Sequence, residues 1–348
     1  MRRVGLVVNP VAGKDIRRLV AWGSVFGNRE KITALIRFLQ GFLGVTRESF
    51  CFVYMPDPYE LVEVARREVT FPSRIRFEKA PTPTFGDATD TLRFTEWAVQ
   101  EGRVEALVVF GGDGTNRVVA KKSGSTPLFS LSCGTNNVFA DTLEPTLGGM
   151  ALGFFLEGAV PKTEVLSRSK VLRCFSGTRE DIALVDVVFV EKDVLGTRAV
   201  WEPETVRFVA VTQSSPANIG LSAVIGRMVS ISPKERRGAF AWVGQGGQRI
   251  PVPLAPGLVR EVGVEEFGFL LPGEPLKLPQ GKGALALDGE REILVHPHEA
   301  WWICLEDQGP VKADLRRILE LTQGRSGEHG QRGHHAQTRP DDGRRGHQ

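Results

Sequence analysis

The apolar run Ala106-Leu107-Val108-Val109-Phe110 passes without a break into Gly111-Gly112-Asp113-Gly114-Thr115. Such a run opening into glycines reads as a buried strand ending in a loop. In open α/β sheets, ligands bind at that end of the strands. Glycine lets backbone N–H groups approach an anion closely, because no Cβ intervenes and positive φ is allowed. Asp113 adds a carboxylate suited to holding a metal ion or taking a proton. The same five residues also suit an ordinary turn, so their meaning depends on what accompanies them.

Two more loops of this kind are present. Val4-Gly5-Leu6-Val7-Val8 ends at Asn9-Pro10-Val11-Ala12-Gly13-Lys14, and the run 128–131 ends at Ser132-Cys133-Gly134-Thr135-Asn136-Asn137. Between them, Ile32, Leu35, Ile36 and Leu39 lie on one stripe and predict a helix over about 30–43. Residues 49–54 read as a strand, 59–67 as a helix, and Thr89-Asp90 as the cap of a helix reaching Gln100. This alternation predicts a Rossmann-like α/β domain with a mainly parallel sheet over 1–145. Strand ends of one sense share an edge of such a sheet, so the three loops converge on one crevice. Asn9, Gly13, Lys14, Gly111, Gly112, Gly114, Thr115, Gly134, Thr135, Asn136 and Asn137 then supply backbone donors, hydroxyls, amides and a cation for phosphate and nucleotide.

From 146 to 305 the extended runs 182–190, 206–211, 259–264 and 284–287 are punctuated by Pro and Gly, which predicts an antiparallel, β-rich substrate domain. A helical interruption is expected within 217–229. Asp186 falls in an apolar strand and is expected at an edge or facing outward, with a place lining the crevice as the alternative. Residues 311–321 carry helical spacing and are expected to pack back as a helix closing the segment 306–321. The tail 322–348 holds too little apolar surface to offset its ordering entropy and is expected to be disordered.

Composition narrows the classes. A net charge of +3 in 348 residues gives no case for nucleic acid. The four cysteines are scattered, which disfavours structural zinc and a disulfide framework. No run approaches the roughly 20 apolar residues of a spanning helix, so a cytoplasmic protein without integral membrane association is expected.

No Gly-x-x-x-x-Gly-Lys-Ser/Thr occurs, and no Gly-x-Gly-x-x-Gly stands at the first strand. The set of loops instead resembles the superfamily of NAD kinases and diacylglycerol or sphingosine kinases. Gly111-Gly112-Asp113-Gly114-Thr115 matches its nucleotide loop, and Asn9-Pro10-x-Ala12-Gly13 is similar to its Asn-Pro-x-Ser/Ala-Gly loop. Gly134-Thr135-Asn136-Asn137-x-Phe139-Ala140 is close to the lipid-kinase Gly-Thr-x-Asn-Asp-Phe-Ala. Asp288-Gly289-Glu290 resembles the Asp-Gly-Glu turn that folds back to the active site in lipid kinases, and by itself also suits a hairpin turn. Segments 87–91, 181–186 and 218–222 are similar to the ATP-NAD kinase-like group that includes the AcoX family, so the resemblance spans about 4–305. Asn137 stands where lipid kinases carry Asp, and the Asn-x-Gly-x-x-Gly-Phe of NAD kinases is not evident, which leaves the acceptor open.

The resemblance implies an ATP-dependent, magnesium-using kinase acting on a hydroxyl acceptor, with NAD favoured and NADP biosynthesis as the outcome. Asp113 would be the catalytic carboxylate or contact Mg2+. Glu290 or Asp288 would be a second base, Asn136 and Asn137 would fix nucleotide or acceptor ribose, and Lys14 would neutralise charge. A lipid or sugar-like acceptor is the alternative substrate. A non-catalytic ATP- or NAD-binding regulator is the alternative class, because both classes need the same cradle. The resemblance also allows a homo-oligomer.

Overall fold

The computed structural model describes residues 1–13, 22, 26–134, 136–191 and 203–324, with the backbone alone for 290–292. Its first half runs β1 (Arg2–Val8), α1 (Asn28–Val45), β2 (Phe50–Tyr54), α2 (Leu61–Glu68), β3 (Ile75–Lys79), α3 (Ala88–Gln100), β4 (Ala106–Gly111), α4 (Asp113–Ala120), β5 (Leu128–Ser132), α5 (Pro145–Leu156), α6 (Lys162–Val165) and β6 (Leu166–Arg168). Strands β1 to β5 pair in parallel, in the order β3-β2-β1-β4-β5. Chain direction across the sheet reverses between β1 and β4, which opens a crevice at their carboxyl ends. Strands β2, β4 and β5, and β1 from Val4 on, read as apolar runs because both faces are covered. Val108 and Phe110 of β4 pack with Phe38 and Phe42 of α1, whereas Leu107 and Val109 pack on the other side with Phe94 of α3.

The second half contains β7 (Val171–Ser176), β8 (Arg179–Ala183), β9 (Asp186–Val190), β10 (Val206–Val211), α7 (Ser222–Gly226), β11 (Gly238–Ala255), β12 (Leu258–Leu270), β13 (Pro275–Lys277), β14 (Gly283–Leu287), β15 (Glu290–Val295) and β16 (Trp302–Glu306). They build a six-stranded sheet, β12-β11-β10-β9-β14-β15, and a four-stranded one, β13-β16-β7-β8. Leu172, Phe189, Phe208, Leu285 and Ile303 fill the space between the two sheets. Short hairpins and alternating apolar positions favour this antiparallel packing. An α/β region with a mostly parallel sheet is thus followed by an antiparallel, β-rich region.

Several expectations are corrected. Residues 145–168 do not open the β-rich half: Ala151, Leu152, Phe155 and Val165 join the core of the first sheet, and β6 extends that sheet. The run 311–321 is not one helix. Val311–Ala313 forms β17, inserted between β5 and β6, and α8 (Leu315–Leu321) begins only after Asp314, whose carboxylate caps the Arg317 N–H at 3.0 Å. Asp87, not Thr89 or Asp90, caps α3 by accepting the Thr89 N–H. Strand β3 had no clear sequence signal because it is an edge strand with mostly exposed side chains. The run 182–190 is split between two sheets, for a reason that lies in the site itself. The tail beyond 324 lies outside the described residues.

Candidate phosphate-binding crevice

Strands β1, β4 and β5 are neighbours, so the loops that follow them meet at one edge. The Asn9 N–H donates to the Phe110 carbonyl at 3.1 Å, and the Cys133 N–H donates to the Gly111 carbonyl at 3.2 Å. Asn9 Nδ2 donates to Thr115 Oγ1 at 2.7 Å, while its Oδ1 accepts the Val11 N–H at 2.9 Å. One amide therefore shapes its own loop and ties it to the next. A Cβ on Gly111 would lie 2.6 Å from Thr115 Cβ, and one on Gly112 would lie 2.8 Å from Asn137 Oδ1. Glycine is needed at both positions because the site's own side chains approach so closely.

Gly112 precedes α4, and Asp113 is its first residue. The Asp113 carboxylate does not project into open solvent. Its Oδ2 accepts the Val138 N–H at 2.8 Å, and its Oδ1 accepts those of Phe139 and Ala140 at 3.0 and 3.1 Å. The Asp113 N–H in turn donates to Asn137 Oδ1 at 3.2 Å. Burial pushes this carboxyl above its ordinary value, against the pull of the three N–H donors. An ionised carboxylate has about four lone-pair sites, and most of these are occupied here. The described residues around Asp113 thus do not assemble a magnesium site by themselves. A metal here would come with the nucleotide phosphates, as magnesium commonly does. The first-turn N–H groups of α4 sit at the positive end of its dipole, where a phosphate oxygen is favoured.

Several residues that support this edge carry no motif. Asn116 is fully buried; its Nδ2 donates to the Gly112 carbonyl at 2.9 Å, and its Oδ1 accepts Ser130 Oγ at 2.6 Å. Lys31 of α1 is also fully buried and donates to the Pro10 carbonyl at 2.9 Å, placing an ammonium beneath the first loop. Lys312 of β17 donates to Asp141 Oδ1 at 3.0 Å and to the Phe139 carbonyl. Asn137 Nδ2 reaches Ser132 Oγ at 2.7 Å, which keeps the third loop folded on itself. A lysine or asparagine on the apolar stripe of a helix was the available sequence signal for Lys31 and Asn116.

The Asp288-Gly289-Glu290 segment forms the hairpin turn that its sequence suits. Asp288 and Gly289 have φ of +52° and +82°, as a two-residue hairpin between β14 and β15 requires. The same turn folds back to α4. Asp288 Oδ1 accepts the Val185 N–H at 2.7 Å and the Asp186 N–H at 3.3 Å, and its Oδ2 accepts the Leu184 N–H at 3.0 Å. These N–H groups leave the strand ladder to bind a side chain, which is why the run 182–190 breaks into β8 and β9. Arg117 of α4 places Nε 3.7 Å from Asp288 Oδ2 and donates from Nη1 to Asp181 Oδ2 at 3.2 Å. Lys121 also pairs with Asp181, at 2.7 Å. Asp186 is buried rather than outward-facing, and its Oδ1 accepts the Gly289 N–H at 3.2 Å. Burial and the neighbouring Asp186 charge push the Asp288 carboxyl up to about 8, although Arg117 opposes the shift.

The structure therefore brings together Asn9, Gly13, Gly111, Gly112, Asp113, Gly114, Thr115, Gly134, Asn136 and Asn137 along one edge, with Asp288 facing them through Arg117. Lys14, Thr135 and the side chain of Glu290 lie outside the described residues.

A family model for the C-terminal domain of acetoin catabolism protein X matches residues 170–308. Acetoin catabolism protein X of Cupriavidus necator is 33% identical over 329 residues, which cover 91% of this chain and 91% of that protein.

Proposed function

The chain belongs to the acetoin catabolism protein X family, and on that footing we propose that it is an ATP-dependent small-molecule kinase working in acetoin catabolism or beside it. The observation that carries this reading is the meeting of three glycine-bearing loops at the β1/β4 reversal, tied together by the Asn9–Thr115 and Asp113–Val138 hydrogen bonds. Phosphoryl transfer asks mainly for positioning and charge stabilisation, and this edge offers both. The first turn of α4, with Thr115, would hold phosphate oxygens. Asn136 and Asn137 would orient the nucleotide or the acceptor ribose. Magnesium arriving with ATP would offset charge on the phosphates. Asp113 keeps the loops in register through its three N–H bonds. The carboxylate that orients the acceptor hydroxyl is then best sought at Glu290, beside the turn that Asp288 anchors. NAD is the favoured acceptor. Acetoin, itself a hydroxy ketone, belongs beside it in any panel.

A second reading draws on one observation: Asp113 and Asp288 both spend their carboxylate oxygens on backbone N–H groups. That arrangement also suits a nucleotide-binding regulator with no turnover. The deciding experiment offers the purified protein MgATP with NAD, acetoin, sugars or a diacylglycerol micelle, and follows ADP release and acceptor phosphorylation. ADP released only with an acceptor supports the kinase. A nucleotide-dependent rise in Tm without ADP release from any pair overturns it in favour of the regulator.

A further inference from the structure

Helix α4 carries two contacts on one face. Asp113 at its start binds 138–140, and Arg117, one turn later, reaches into the β-rich half. Residues four apart share a helix face, so whatever sets the nucleotide loop also sets where Arg117 stands. The Arg117 side chain is 3% exposed and that of Asp288 is fully buried. Arg117 touches Asp288 in the β14–β15 turn and Asp181 in β8, one in each sheet of the β-rich half. Asp288 holds 184–186, and Asp186 holds Gly289 in return. The turn is thereby locked to its own sheet, and Arg117 contacts that locked unit from α4. Lys121, the residue that follows α4, pairs with Asp181.

We propose that Arg117 is a positioning residue that sets the Asp288-Gly289-Glu290 turn against the nucleotide loop, and so fixes the acceptor side of the crevice relative to the phosphate side. The proposal rests on the kinase reading for its activity arm and on geometry alone for its second arm. A planar guanidinium serves two carboxylates in different directions, which an ammonium cannot reproduce. Removing Arg117 alone leaves the buried Asp288 carboxyl without its cation, whereas removing both partners leaves no unmatched group there. The R117Q/D288N double variant therefore separates charge balance from positioning.

In the activity arm, the double variant and Arg117→Lys are compared with the unaltered chain for ATP affinity, acceptor KM and kcat. The expected result is ATP affinity within about threefold and kcat lowered at least tenfold in both, with some loss of thermal stability in the double variant because an amide offers the 184–186 N–H groups one acceptor oxygen in place of two. Native kcat in the double variant would overturn the proposal and leave Arg117 with charge balance alone. In the second arm, amide hydrogen exchange at Gly289 and Glu290 is followed with and without ATP. Exchange there should be slow in the unaltered chain and at least tenfold faster in Arg117→Lys. Unchanged exchange overturns the proposal even if no acceptor is found. ADP release from no pair, together with faster exchange in the variant, would sink the kinase reading and leave the positioning role standing.

Discussion

Asp113 Oδ1 accepts the backbone N–H of Ala140 at 3.1 Å, so the carboxylate of the loop after β4 closes one loop onto the next. The neighbouring N–H groups of Val138 and Phe139 complete the clasp. The acidic residue of the glycine-rich motif is thus a structural anchor in the fold.

The clasp predicts a stability cost for Asp113→Ala. Three N–H groups, those of Phe139 and Ala140 buried and that of Val138 half-buried, would lose their acceptor, and hydrogen bonds to a charged group are each worth about 1.5–3 kcal/mol. Relaxation and water should reduce the sum to about 3 kcal/mol, read as a lower urea midpoint at unchanged m. Asp113→Asn, with one acceptor oxygen, should fall between. An unchanged midpoint with lost turnover would instead place Asp113 in the chemistry alone.

Asp288 predicts a pH dependence. Its carboxyl titrates near 8 in the fold against an ordinary value of 3.8, so between those values the folded chain holds a proton that the unfolded chain lacks. Its contribution to stability should therefore decline as pH rises from about 4 to about 8, and level off above. Urea midpoints across that range should fall less steeply in Asp288→Asn than in the unaltered chain. Equal slopes would show that Asp288 does not carry the proton.

Gly112→Ala tests the packing of the cradle. The added Cβ would meet Asn137 Oδ1 at 2.8 Å and push that side chain off the Asp113 N–H. Nucleotide affinity measured by calorimetry should drop about tenfold, equivalent to about 1.4 kcal/mol, with a smaller change in Tm. Native affinity would mean that Asn137 moves aside without consequence.

Asn116→Ala should weaken the loop from beneath. It would leave Ser130 Oγ without its buried partner and take from the Gly112 carbonyl one of its two donors, the backbone N–H at 116 remaining, at a cost of about 1–3 kcal/mol. Thermal unfolding gives the size of the loss. Asn116→Asp should restore the Ser130 bond but lose the donor to Gly112, and so recover only part of it.

Much of this architecture was legible along the chain. Parallel strands buried on both faces read as unbroken apolar runs, and the three strand-end loops were each visible as glycine beside a hydroxyl or an amide. The antiparallel character of the second half showed in its short runs and turns. Strand β3 escaped because its side chains are mostly exposed, and β17 because three residues carry too little periodicity to separate a strand from the helix that follows. Lys31 and Asn116 escaped because a polar residue on a helix is ordinary until burial gives it a partner.

The sequence by itself determined most of the buried strands and the helices between them, that glycine loops end three of the strands, and that a turn follows β14. Those properties depend on neighbours a few positions away, through backbone conformation and the burial of alternate side chains. Only the tertiary structure decided what the acidic residues do. Asp113 meets donors from β5's loop, and Asp288 meets donors from the start of β9 and a guanidinium from α4. A carboxylate's role is set by the donors and charges that surround it, and here nearly all of them arrive from distant parts of the chain.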